Sequence, residues 1–337
     1  MKKWMFVGLL FAFFACQKEQ MAEPEPELPL LLVPMGFPEP EIPIDNLMSR
    51  ERFALGKRLF YDPILSLDTS ISCASCHLAH LSFSDSLPTS PGVFNRPGVR
   101  NAPSLANVAY FKALLREGGV PNLEMQILVP FGEHNEFDLN VLEAIDRLLN
   151  DSSYIEMSWD AFQRNPDPYV LTRSIAQFER TLLSGNSPVD QYVRQGKINA
   201  LTNSELRGKE LFESDRLSCS TCHSGYLYTN EQFANTGLYE EYADIGRMRL
   251  TGHPSDNAVF RIPSLRNVGV TAPYMHDGSM PNLEAVIEHY NSGGKAHPNK
   301  HPLLKPLNLT ETEKSDLLAF LHALTDQSFL DDPRFRQ

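Results

Sequence analysis

The sequence is poor in cysteine, in strand signals and in long apolar runs, and it has no excess of positive charge. Five cysteines in 337 residues are too few for a disulfide-built scaffold. The apolar run from Trp4 to Ala15 falls well short of the roughly 20 residues that a membrane-spanning helix needs. Thirty basic against 42 acidic residues leave a net charge of −12, which argues against nucleic acid and against docking on an anionic surface, and suits a basic partner. What remains, 42% hydrophobic and 21% charged, is the composition of a soluble globular protein. The length allows two domains of ordinary size.

Four of the five cysteines stand in two matching frames, Cys73-Ala74-Ser75-Cys76-His77 and Cys219-Ser220-Thr221-Cys222-His223. Two cysteines spaced to hold one edge of a porphyrin, with a histidine directly behind them to ligate iron, mark the attachment of c-type haem. A thioredoxin-like pair, a zinc site or a disulfide would each explain a Cys-x-x-Cys. None explains a histidine behind both pairs. The chain is therefore expected to carry two covalent haems, with His77 and His223 as axial ligands and no structural disulfide.

The fifth cysteine, Cys16, closes a basic start and a short apolar core, Met1-Lys2-Lys3 followed by Trp4 to Ala15. That order reads as a lipoprotein signal over residues 1–16, with Cys16 lipidated and the protein facing the periplasm, held to a bacterial membrane by lipid alone. Export agrees with the haem motifs, because bacteria attach c-type haem outside the cytoplasm. Residues 17–44, with Glu23-Pro24-Glu25-Pro26-Glu27 and Pro38-Glu39-Pro40-Glu41, read as an extended tether. The first folded element is expected near Asn46, where Met48, Phe53, Leu55, Leu59 and Phe60 give a helical apolar pattern. Thr202 with Glu205, and Thr310 with Glu313, have capping-box spacing ahead of apolar periodic runs. The chain should be mainly α.

An internal repeat organises the rest. Leu55 to Phe60 precedes the first haem motif as Leu206 to Phe212 precedes the second. Downstream, Pro103-Ser104-Leu105-Ala106-Asn107-Val108 recurs as Pro263-Ser264-Leu265-Arg266-Asn267-Val268, and Pro121-Asn122-Leu123-Glu124 recurs as Pro281-Asn282-Leu283-Glu284, both at a distance of 160 residues. Two cytochrome c-like domains related by duplication are expected, 45–187 and 188–337, with the boundary near Gly185 to Pro188.

Chemistry depends on what faces each iron opposite its histidine: two strong ligands favour electron transfer, and an open position admits peroxide or oxygen. After Pro281-Asn282-Leu283-Glu284 a helical face carries Leu283, Ile287 and Tyr290, so Tyr290 is either a core tyrosine or an iron ligand. The matching helix in the first half carries Gln126, followed by Glu136. Over an open iron, a carboxylate that relays a proton and an amide that orients the oxygens make a peroxide site. On spacing alone the same two residues read rather as solvated helix and loop positions. His134 lies near Glu136, His80 just behind the first motif, and His253, His297 and His301 are further ligand candidates for the second iron.

At this point the residues resemble the bacterial di-haem cytochrome c peroxidase family, which includes the maturase MauG. The resemblance runs from about Leu55 to Leu324 and rests on Leu59-Phe60-Tyr61-Asp62-Pro63, Arg100-Asn101-Ala102-Pro103-Ser104-Leu105 and Thr271-Ala272-Pro273-Tyr274-Met275-His276-Asp277-Gly278. It implies a peroxidatic first haem with His77 proximal and Gln126 and Glu136 distal, and an electron-accepting second haem on His223. It also implies a calcium ion between the haems, bound by the Asn101 side chain and the carbonyls of Thr271 and Pro273. A small cytochrome or another periplasmic donor would supply electrons, with a protein substrate as the MauG-like alternative and a plain electron carrier as a third reading. A homodimer is compatible with any of these.

Three departures from the family pattern stand out. The position fourteen residues after His276, methionine in ordinary family peroxidases, is Tyr290; this is the MauG-like choice, and it lowers the potential of the second haem. No histidine lies between Leu87 and Arg100 to block the first iron, which implies an iron open as isolated. Arg116 occupies the place of the family's tryptophan between the haems.

Overall fold

The computed structural model describes residues 29–337. The signal with Cys16 and the tether up to residue 28 lie outside them. The described chain is mainly helical: α1 Arg50–Tyr61, α2 Cys73–Cys76, α3 Leu123–Gln126, α4 Val129–Gly132, α5 Val141–Leu149, α6 Ser152–Phe162, α7 Pro168–Arg180, α8 Pro188–Val193, α9 Asn203–Glu213, α10 Cys219–Cys222, α11 Met248–Thr251, α12 Leu283–Ser292, α13 Glu311–His322 and α14 Gln327–Leu330. One antiparallel pair of two-residue strands, β1 Phe233–Ala234 and β2 Phe260–Arg261, is formed. Both capping boxes are present, with Thr202 and Thr310 as N-caps closed by Glu205 and Glu313.

Two apolar cores organise the helices. In the first, α1 crosses α7 so closely that a Cβ on Gly56 would sit 1.8 Å from the Ser174 carbonyl oxygen. In the second, α9 crosses α13 with Gly208 only 1.9 Å, by the same measure, from the Asp316 carbonyl oxygen. Only glycine permits either approach. Phe60 and Phe178 pack with ring centroids 4.9 Å apart in the first core, and Phe212 and Phe320 at 5.1 Å in the second. The C-terminal Phe329, Leu330 and Phe335 return to the first core rather than the second, so the chain beyond Leu324 straps the halves together.

Polar ties close the seam between the halves. Asn107 and Asn267 both adopt left-handed backbone, and both are fully buried. Asn107 Nδ2 donates to the Ser184 carbonyl at 2.9 Å, while Asn267 Nδ2 donates to Ser82 Oγ and Ser184 Oγ at 2.9 and 3.0 Å. Asp326 Oδ2 accepts from the backbone of Gly185 and Asn186 at 2.9 and 2.8 Å. A buried bidentate pair, Arg266 on Asp190 at 2.8 and 2.9 Å, anchors α8.

The stretch read as a tether ends earlier than its composition suggests. Phe37 is buried against Tyr226, with centroids 4.9 Å apart, and beneath the guanidinium of Arg266. Gly36 accepts from Arg194 and Pro38 from Tyr110. A single aromatic in a proline-rich segment is enough to dock it, because burying one phenylalanine contributes about 2–3 kcal/mol.

Candidate functional site

The two haem motifs form single-turn helices, α2 and α10, each ending at its histidine. His77 Nδ1 lies 2.7 Å from the Phe83 carbonyl and His223 Nδ1 lies 3.2 Å from the Tyr228 carbonyl. Nδ1–H donates in each case, which leaves Nε2 free as a ligand. Desolvation lowers both pKa values, against the carbonyl contacts, so both rings are neutral as iron ligation requires. Phe83 and Tyr228 hold left-handed backbone, which is costly for an aromatic residue. Each is also a core aromatic, so packing fixes the carbonyl that aims the histidine.

Burial pushes the thiols up, Cys76 and Cys219 to about 11. A zinc site needs a clustered donor set, and among the described residues no three His, Cys, Asp or Glu side chains converge on a metal position.

In the second half a large cavity is lined by Cys219, Cys222, His223 and Tyr290, and also by Arg116 and Arg261. Tyr290 comes from the last turns of α12 and faces the two cysteines; desolvation, then the thiols, raise its pKa. Its hydroxyl makes no hydrogen bond among the described residues. Arg261 Nη1 is buried without a hydrogen-bond partner, as the receptor of an anionic group such as a haem propionate would be. These residues fit a haem. His301 lines the same cavity, whereas His253 is on the surface and His297 packs on Tyr242 at 5.2 Å.

The first half differs on the distal side. The residue 160 positions before Tyr290 is Pro130, in α4, where the helix begun by α3 is interrupted. No side-chain ligand is available there. Gln126 is half-buried at the end of α3 and its amide makes no hydrogen bond among the described residues. Glu136 is held through its backbone: its N–H donates to the Glu133 carbonyl and its carbonyl accepts from Val93 at 3.1 Å, while Phe137 N–H reaches the Pro130 carbonyl at 3.0 Å. By surface area Glu136 is an exposed residue, yet many protein atoms surround its carboxyl, as at the open mouth of a concave site. Desolvation, with Glu133 adding to it, raises its pKa to about 7.

His134 does not serve Glu136; it is exposed and binds Asp138 and Arg96. His80 is exposed too. Sequence reading missed Glu179, a buried carboxyl on α7 near Cys73, one oxygen of which has no partner. Desolvation raises its pKa to about 8 against the pull of Arg180. Its only sequence signal was an acid on the buried face of a helical run.

Asn101 is 5% exposed, and Thr271 and Pro273 line the same cavity. Its Oδ1 accepts from Arg116 Nη2 at 2.7 Å, so this expected calcium ligand is already engaged by a cation.

Two c-type attachment motifs, each with a neutral, carbonyl-anchored histidine, on a mainly helical two-core fold define a di-haem c-type protein of the peroxidase class. The sequence pattern described as di-haem cytochrome c peroxidase matches residues 50–198. The methylamine utilization protein MauG of Methylorubrum extorquens is 35% identical over 297 residues, covering 86% of this chain and 82% of that one. The cytochrome-c peroxidase IdrP1 of Pseudomonas sp. (strain SCT) is 35% identical, covering 98% and 93%. Among solved structures, a MauG-like protein associated with microbial copper homeostasis superposes with a TM-score of 0.85 at 36% identity over 90% of this chain and 97% of that one. The chain belongs to the di-haem cytochrome c peroxidase family. It is an oxidoreductase of the peroxidase type and carries two haem c groups.

Proposed function

We propose that the protein reduces hydrogen peroxide to water at its first haem site, with electrons entering through the second haem from a small cytochrome or another periplasmic donor. The supporting observation is the difference between the two distal faces: Pro130 with Gln126 and a carboxyl poised at about 7 on one side, Tyr290 on the other. A haem held at each motif, by His77 in the first half and by His223 in the second, would supply a redox-active iron. Glu136 takes the proton from one peroxide oxygen and returns it to the other, so that water rather than hydroxide leaves; two electrons and two further protons complete two waters. A carboxyl with a pKa near the working pH can do both. Gln126 holds the oxygens through its uncommitted amide. Tyr290 would serve as a further ligand to the second iron and would favour its oxidised state.

A second reading, oxidation of residues on a partner protein, is favoured by Tyr290 and by likeness to MauG. The parallel caps, crossings and histidine carbonyls of the halves support descent by duplication. Lipidation at Cys16 would place the enzyme at the periplasmic face of a membrane. The oxidised holoprotein should give one high-spin and one low-spin ferric signal in electron-resonance spectra. Two low-spin signals would leave only an electron carrier.

A further inference from the structure

Arg116 lies at the seam beside the second haem cavity, and the partners of its guanidinium are neutral oxygens. Nε and Nη2 reach the Asn101 carbonyl at 3.2 and 2.8 Å, and Nη2 also reaches Asn101 Oδ1 at 2.7 Å. The amide cannot turn away, because Asn101 Nδ2 donates to the Leu87 carbonyl at 3.1 Å on its other side. Backbone bonds cross the seam at the same place: Asn101 N–H to the His276 carbonyl at 2.9 Å, and Arg261 N–H to the Arg116 carbonyl at 2.7 Å.

A calcium ion at its usual distance from Asn101 Oδ1 would lie within about 5 Å of the Arg116 nitrogen already seated on that oxygen. Arg261 lines the same cavity as Arg116, and Arg100, the neighbour of Asn101, is committed to Asp244. The expected ligands Asn101, Thr271 and Pro273 bring no carboxylate to offset two more charges. The residues present do not fit calcium.

We propose that Arg116 is the resident cation of the seam, seated on Asn101 in place of a metal ion, which makes the protein calcium-independent and holds up the reduction potential of the second haem. A fixed positive charge favours the reduced, less positive iron. The proposal rests on the two-haem reading.

The test uses holoprotein, with calcium chloride and EGTA as probes. Metal analysis should find far less than one calcium per chain, and neither probe should move the absorption spectrum or the melting temperature. One tightly held calcium per chain, or a spectral change on chelation, overturns the proposal. In a potentiometric titration Arg116→Gln should shift the second haem to lower potential, while Arg116→Lys keeps most of the wild-type value. A glutamine variant titrating at the wild-type midpoint overturns the assignment. Should that variant not fold, metal analysis of the wild type decides. Haem content is measured on the same samples: fewer than two haems overturns the functional reading and this proposal with it, whereas two haems with bound calcium overturn this proposal alone.

Discussion

The pH dependence of turnover follows from one carboxyl. Glu136 has its pKa raised to about 7, first by desolvation and then by Glu133; under the proposed role, with peroxide arriving protonated, the ionised form of Glu136 would be the competent base. With the pKa at about 7 the ionised fraction falls from roughly nine-tenths at pH 8 to one-tenth at pH 6. The value of kcat/KM for peroxide should therefore rise about tenfold across that interval, with a slope of one on the acid limb. An ordinary glutamate, ionised throughout, would give a flat profile there. The assay is steady-state peroxide reduction with a reduced cytochrome or an artificial donor, buffered from pH 5 to 9. Glu136→Gln should abolish the limb and lower kcat/KM by roughly 10²–10⁴. Glu133→Gln should move the limb to lower pH without removing it, and added salt should do the same more weakly, because Glu133 is exposed. A limb that persists in Glu136→Gln refutes the assignment of the base.

Replacing Tyr290 by Phe should convert the low-spin signal of the second haem to high spin; an unchanged spectrum eliminates the tyrosine as a ligand. Gly56→Ala and Gly208→Ala each drive a Cβ to within 2 Å of a backbone oxygen, so both should lose stability at or beyond the upper end of about 1–3 kcal/mol. Thermal melting that matches the wild type would contradict the crossing geometry. Asp190→Asn strands the buried charge of Arg266 and should cost about 3–5 kcal/mol. Asp190 has a lowered pKa because Arg266 and Ser187 outweigh its desolvation. Its contribution is therefore present above the ordinary aspartate range and lost as pH falls below it, which denaturant titrations at pH 7 and pH 3 would reveal.

The sequence by itself determined the covalent chemistry and the helical frame. Cys-x-x-Cys-His is a local pattern, fixed by how far apart two thioethers sit on a porphyrin edge, and a capping box is complete within four residues. Neither needs the fold to be recognised. The helical face shared with Leu283 and Ile287, and its place fourteen residues after His276, also made Tyr290 a candidate ligand of the second iron before any coordinates. Electrostatics was a different matter. Nothing adjacent in sequence brings Arg116 onto Asn101, buries Glu179 near Cys73, or raises Glu136 to about 7 while His134 turns to Asp138. Those outcomes depend on which charges the packed halves leave facing each other with water excluded. Residue types and spacings therefore announced where the haems attach, while the tertiary structure alone decided that Arg116 sits on Asn101 and that the carboxyls of Glu136 and Glu179 have raised pKa values. Coulomb and desolvation energies are set by distances in space, and those distances exist only once the chain has folded.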